Sequence, residues 1–208
     1  SKCNFDWICI DMEHSSITLA QLENLLNVLD KNKSNSFVRV SDNNKTEIKK
    51  ILDLGAKGII VPMVNTALEA KNAISYVTYP PKGQRGYALA RAQGFGYNLN
   101  NYLKVSKNIK IVVQIETIKA INNLGEILKV KGIHSTLIGP RDLSGSISKA
   151  GDYKNKKFIK ALQKYEKLSK QNNVSMGMHV AFPKTETLNK FIKKGYKFVA
   201  IGTDMTFL

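Results

Sequence analysis

The chain has 208 residues, 43% hydrophobic and 23% charged, the composition of an ordinary globule long enough to bury its own core. Its formal charge is +16, but only four of its 32 basic residues are Arg, and the lysines spread along helical stretches such as KNKKFIKALQKYEKLSKQ, without the Arg forks and aromatic platforms that a nucleic-acid surface adds to its charge. No apolar run approaches the ~20 residues of a membrane helix, no charged-then-apolar leader is seen, and Cys3 and Cys9 make no disulfide framework, so the expectation is a cytoplasmic protein with no membrane and no nucleic-acid partner.

In chain order, short apolar runs alternate with helical patterns. DWICIDM reads as a strand carrying Asp11 at its end, and Glu13 and His14 follow it. TLAQLENLLNVLDK follows as a helix with Thr18 as N-cap, then strand SFVRV containing Arg39, and helix KTEIKKILDLGA with a glycine stop. Strand KGIIVPM leads to helix TALEAKNAISYV, capped by Thr66. Residues 79–103, YPPKGQRGYALARAQGFGYNLNNYL, break the rhythm; a connection this long, rich in Gly, Pro and aromatics, has the marks of a functional loop. Strand KIVVQIE, helix KAINNLGEILKV, strand IHSTLIGP, helix FIKALQKYEKLSKQ, strand VSMGMHV, helix KTETLNKFIKKG with a second glycine stop, and strand KFVAIG complete the pass. Nearly continuous apolar strands between helices indicate a parallel sheet covered on both faces. Seven such units are many for an open sheet and one short of a (β/α)8 TIM barrel. The expected fold is therefore α/β, a TIM barrel formed as one domain over residues 1–208, with the first strand and the last helix absent from this chain.

Barrels of this kind place their chemistry at the C-terminal ends of the strands. Those ends read Asp11-Met12-Glu13-His14, Arg39, Pro62-Met63, Glu116, Asp142, His179 and Asp204. Glu116 and Asp142 follow consecutive strands, whose ~4.8 Å spacing would let both carboxylates reach one cation. Two carboxylates with open positions suit a hard divalent ion, whereas no Cys/His cluster has zinc spacing. Asp142 could instead cap the helix that follows it. His14 is either a base at a strand end or a histidine bonded to loop backbone. His134 precedes its strand and reads as structural, and His179 could face either core or pocket. The strand lysines Lys57, Lys110 and Lys197 all sit at strand starts, which favours metal over imine chemistry. In so Lys-rich a chain, positions that stay Arg either answer a need for the planar fork or are chance, and four residues do not separate the two.

The ordered series WICIDMEH, FVRV, LDLGAKGIIVPMVNTALEA, YPPKGQRG, VVQIETIKAINNLGEI, LIGPRDLSGS and FVAIGTD resembles the HpcH/HpaI family of class II, metal-dependent pyruvate aldolases. The resemblance implies a TIM barrel, usually a homo-oligomer and often a hexamer, that takes Mg2+, Mn2+ or Co2+. It implies Glu116 and Asp142 as metal ligands and Arg39 as the hydrogen-bond donor to the 2-oxo group of pyruvate. His14 matches the catalytic histidine, Asp53 its acidic partner, and Asp11 an aspartate near the metal-bound water. Gln114 matches a pocket glutamine beside the metal, and the backbone around Arg141 and Asp142 the receiver of the substrate carboxylate. Arg85, in the YPPKGQRG loop, would then meet acidic aldehydes at the mouth, and Glu13 has no matching role.

The implied reaction is cleavage of a 4-hydroxy-2-oxo acid, or a 2-keto-3-deoxy sugar acid, to pyruvate and an aldehyde. Two other readings stand beside it. One is a CoA-thioester lyase of the citrate lyase β-subunit or malyl-CoA type, which shares the Glu and Asp scheme. The other is a non-catalytic basic binding protein on a degenerate barrel.

Overall fold

The computed structural model describes residues 5–207; Cys3 lies outside them. The elements, in order, are β1 (Ile8–Asp11), α1 (Leu19–Lys31), β2 (Ser36–Arg39), α2 (Lys45–Asp53), β3 (Gly58–Val61), α3 (Ala67–Val77), α4 (Leu99–Val105), β4 (Lys110–Ile115), α5 (Ile118–Asn122), α6 (Leu124–Leu128), β5 (Ser135–Ile138), α7 (Pro140–Ile147), α8 (Lys156–Gln171), β6 (Met176–Val180), α9 (Thr185–Lys194), β7 (Tyr196–Ile201) and α10 (Asp204–Phe207). The strand order is β1-β2-β3-β4-β5-β6-β7 and the paired strands are parallel, the α/β pattern of a partial (β/α)8 barrel with seven of its eight strands in this chain. Two compact units divide it: residues 1–62 with 71–111, and residues 63–70 with 112–208.

In the first unit, α1 starts on a reciprocal cap. Gln21 N–H donates to Thr18 Oγ1 at 3.3 Å, and Thr18 N–H donates to Gln21 Oε1 at 2.8 Å. Leu22, Leu26 and Leu29 then recur at helical spacing and bury one face. Asn44 caps α2, which buries Ile48, Ile51 and Leu52. Each fully buried aliphatic contributes about 1.5–3 kcal/mol relative to exposure. All four residues of β3 are buried, as a strand covered on both faces requires.

In the second unit, α8 buries Phe158, Ala161 and Tyr165. The Tyr165 hydroxyl accepts Gly177 N–H at 2.9 Å and shares a 2.7 Å bond with Thr136 Oγ1, tying α8 to β5 and β6. Gly195 ends α9 at φ 94°, the left-handed stop expected from KKGYK.

Two sequence expectations are redrawn. KAINNLGEILKV is two short helices, because Asn123 leaves helical geometry and its side-chain amide donates to Asn65 O at 2.8 Å. The long 79–103 segment carries its own structure, a 3-10 turn over Arg91–Gly96 and then α4. That turn includes Gly94 and Phe95 at positive φ, which hides it from periodicity.

Candidate active site

β1 and β2 run in register with Asp11 beside Arg39, so the last residues of the two strands meet side by side. Arg39 grips Asp11 with both edges of its fork, Nε donating to Oδ1 at 2.9 Å and Nη2 to Oδ2 at 2.5 Å. Its third nitrogen, Nη1, lies 3.1 Å from Glu13 Oε2. Asp11 Oδ1 also accepts the N–H of Glu13 at 3.0 Å and of His14 at 3.3 Å, which fixes the turn after the strand. The His14 side chain is 67% exposed, with Nε2 at 3.7 Å from Glu13 Oε2. Burial works against ionised Asp11, but the hydrogen bonds and charge of Arg39 outweigh it and hold the carboxyl below its ordinary range. Burial likewise opposes the Arg39 charge, and Asp11 overcomes it, so the guanidinium stays firmly protonated.

Asp53 and Arg85 lie at the other edge of the same unit. α2 carries the chain back from the C-terminal end of β2, and Lys57 N–H, just beyond it, bonds Ser36 O at the start of β2. Asp53 is therefore at the N-terminal edge, away from His14. Arg85, expected at the mouth, is 0% exposed. Its Nη2 donates to Asp53 Oδ1 at 3.0 Å and to the Tyr102 hydroxyl at 2.9 Å, and its guanidinium lies 4.6 Å from the Tyr79 ring centroid and 5.4 Å from that of Tyr102. Arg91 binds Asn27 Oδ1 at 2.8 Å, Asp30 Oδ2 at 2.7 Å and the carbonyl of Leu54. Arg39 and Arg91 bond through more than one nitrogen of the fork, Arg85 bonds through Nη2 alone, and Arg141 is exposed. A cavity of about 540 Å3 opens at this N-terminal edge between Asp30, Lys57, Arg91 and Lys110, and none of His14, Arg39, Asp53 or Arg85 lines it.

In the second unit, the register Gln114↔Leu137 and Ile115↔Ile138 brings Glu116 alongside Gly139. Glu116 is only 3% exposed. Its Oε1 accepts Met63 N–H at 2.6 Å, and its Oε2 accepts from the Gln114 side-chain amide. Met63 holds φ at 54°, a left-handed conformation unusual for its side chain, and so aims its N–H at the carboxylate. A Cβ on Gly139 would stand 2.8 Å from Glu116 Oε2, so the close approach of backbone and carboxylate requires glycine. Gly139 is the N-cap of α7 and Pro140 its first residue, leaving Asp142 exposed in the first turn rather than capping it. Gln114 Oε1 is buried without a hydrogen-bond partner.

Glu116 and the orphaned amide oxygen of Gln114 lie together at the end of β4, and Asp142 stands exposed in the first turn of α7; all three side chains offer oxygen donors, the chemistry a hard divalent cation takes. Among the described residues no three His, Cys, Asp or Glu side chains form a metal cluster. Of the remaining histidines, His134 is exposed just ahead of β5 and His179 is half-buried within β6. No helix among the described residues is long and apolar enough to cross a membrane.

Sequence reasoning did not find three participants: Glu13 on Arg39, the Met63 N–H and Gly139. Glu13 lies in the turn beyond β1, where strand alternation no longer says which way a side chain points.

The sequence profile of HpcH/HpaI aldolase/citrate lyase matches residues 1–208. The chain is 34% identical over 206 residues to a 4-hydroxy-2-oxo-heptane-1,7-dioate aldolase of Escherichia coli, covering 98% of this chain and 78% of that one. It is 36% identical over 207 residues, with the same coverage, to the enzyme of that name from Salmonella heidelberg. A solved HpcH/HpaI aldolase/citrate lyase family protein from Burkholderia cenocepacia superposes with a TM-score of 0.92 at 26% identity, over 98% of this chain and 81% of that one.

Proposed function

Because the chain belongs to the HpcH/HpaI aldolase/citrate lyase family, we propose that it cleaves a 4-hydroxy-2-oxo acid, or a 2-keto-3-deoxy sugar acid, to pyruvate and an aldehyde. The observation that carries the reading is the buried Glu116 carboxylate, presented by Met63 N–H and the Gln114 amide beneath a glycine that a Cβ would obstruct. The aldolase names of the relatives support the aldolase reading over the CoA-thioester lyase and non-catalytic alternatives.

Glu116 and Asp142 would hold the divalent ion, Mg2+, Mn2+ or Co2+, with Gln114 beside it. Such an ion, when bound, orients a 2-oxo acid and stabilises negative charge on its ketone oxygen. The N–H groups of the first turn of α7, around Arg141 and Asp142, would receive the substrate carboxylate, as helix N-termini favour anions. His14, whose side chain is exposed to solvent, would take the proton of the C4 hydroxyl. The C3–C4 bond then breaks, its electron pair forming the C2–C3 double bond of the pyruvate enolate as the aldehyde leaves. Arg39 would donate to the C2 oxygen on which the charge develops, an oxyanion-hole function. Asp11 keeps that guanidinium aimed and charged. A proton delivered to C3 completes pyruvate. Arg85 is assigned no substrate contact, because its charge is matched inside the fold by Asp53. A His14–Asp53 dyad would form only between two copies of the chain, given their positions at opposite edges of one unit, which supports a homo-oligomer and, on the family pattern, a hexamer.

Pyruvate release from a panel of 4-hydroxy-2-oxo acids tests the reading. Activity should require an added divalent ion, vanish with chelator and fall at least about 100-fold in Glu116→Gln, a loss of the size expected when charge stabilisation is removed. Undiminished activity under both treatments would overturn it.

A further inference from the structure

One side chain at the β1 end has no part in the scheme above. Glu13 is only 15% exposed, and a single oxygen, Oε2, faces both Arg39 Nη1 at 3.1 Å and His14 Nε2 at 3.7 Å. Arg39 is already gripped along its other edge by Asp11, so Glu13 closes a clamp of two carboxylates on one planar guanidinium. His14 stands otherwise open to solvent, at 67% exposure, where a ring samples several rotamers on a fast timescale. An anionic oxygen 3.7 Å from Nε2, at ion-pair rather than hydrogen-bond distance, selects among those orientations by its charge.

We propose that Glu13 is a positioning residue of the aldol reaction: its Oε2 ties the guanidinium that meets the developing enolate to the imidazole that moves the proton, and so fixes their separation. This rests on the roles given to Arg39 and His14 above. The physical requirement is stringent, because misplacing a reacting group by about 1 Å costs on the order of 100-fold in rate. Arg39 sits on β2 and His14 in the turn beyond β1, and Glu13 contacts both.

The test pairs kinetics with side-chain NMR on Glu13→Ala and Glu13→Gln. The expected kcat order is wild type, then Glu13→Gln, which keeps an acceptor oxygen but loses the charge, then Glu13→Ala, lowered by about 100-fold. KM should stay within about threefold and the melting temperature near that of wild type, because the role is alignment rather than uniform binding. With only four Arg in the chain, the guanidinium resonances are assignable, and Glu13→Ala should release Arg39 Nη1 from slow rotation. Should Glu13→Ala fail to fold, the isosteric Glu13→Gln carries both measurements. A variant with wild-type kcat, or an Arg39 guanidinium spectrum unchanged by either substitution, defeats the proposal. If the wild-type protein itself releases no pyruvate, the assigned reaction falls, and the guanidinium spectrum still decides whether Glu13 holds Arg39.

Discussion

Replacing Asp53 with alanine would leave the Arg85 guanidinium, 0% exposed, without its ion-pair partner. At the 3.0 Å separation of Nη2 and Oδ1, Coulomb attraction at an effective dielectric of about 20 is on the order of 5 kcal/mol. Removing one member of a buried pair typically costs about 3–5 kcal/mol, because the remaining charge stays desolvated. Tyr102 still accepts from Nη2 and the Tyr79 ring still faces the cation, which argues for the lower end, about 3 kcal/mol. At roughly 2–4 °C per kcal/mol for a chain of this size, the melting temperature should fall by about 6–12 °C. Urea unfolding followed by circular dichroism would measure this, together with Arg85→Met and the double variant. Removing both charges should recover part of the loss, with a coupling energy of at least about 1.5 kcal/mol. An Asp53→Ala protein within about 1 kcal/mol of wild type, or strictly additive single and double variants, would refute the buried-pair reasoning.

Two further outcomes follow from the strand-end geometry. Arg39 holds the Asp11 carboxyl below its ordinary value, so the folded state binds fewer protons than the unfolded one in that interval. The stabilisation is complete above the unfolded value of about 3.9 and is lost as pH falls through the lower folded value; acid melting curves should therefore be steeper for wild type than for Asp11→Asn, and parallel curves would contradict the pairing. Gly139→Ala places a Cβ 2.8 Å from Glu116 Oε2, so the carboxylate must move. Pyruvate release should drop at least about 10-fold with a melting shift of only a few degrees, and full activity would show that Glu116 need not sit where it does.

Much of this molecule is legible in its sequence because the signals are local. Strand and helix alternation, the Thr18 cap and the Gly195 stop each depend on neighbours a few residues away, and each is realised. The acids and arginines at strand ends follow from the same logic, since a parallel strand delivers its last polar residue to one edge. The two helices within KAINNLGEILKV escaped because a bond from Asn123 to Asn65 interrupts an otherwise continuous helical pattern.

By itself, then, the sequence determined the succession of the seven strands, the parallel α/β architecture, the family and the set of polar residues available for chemistry. Only the tertiary structure decided how those residues are spent. It turned Arg85 inward onto Asp53, put Asp53 at the opposite edge from His14, gave Glu13 to Arg39, and used Met63 and Gly139 to present Glu116. The reason is physical: periodicity encodes which face of an element is buried, whereas the partner of a charge depends on strand register and on loops that bring residues distant in sequence within hydrogen-bonding reach.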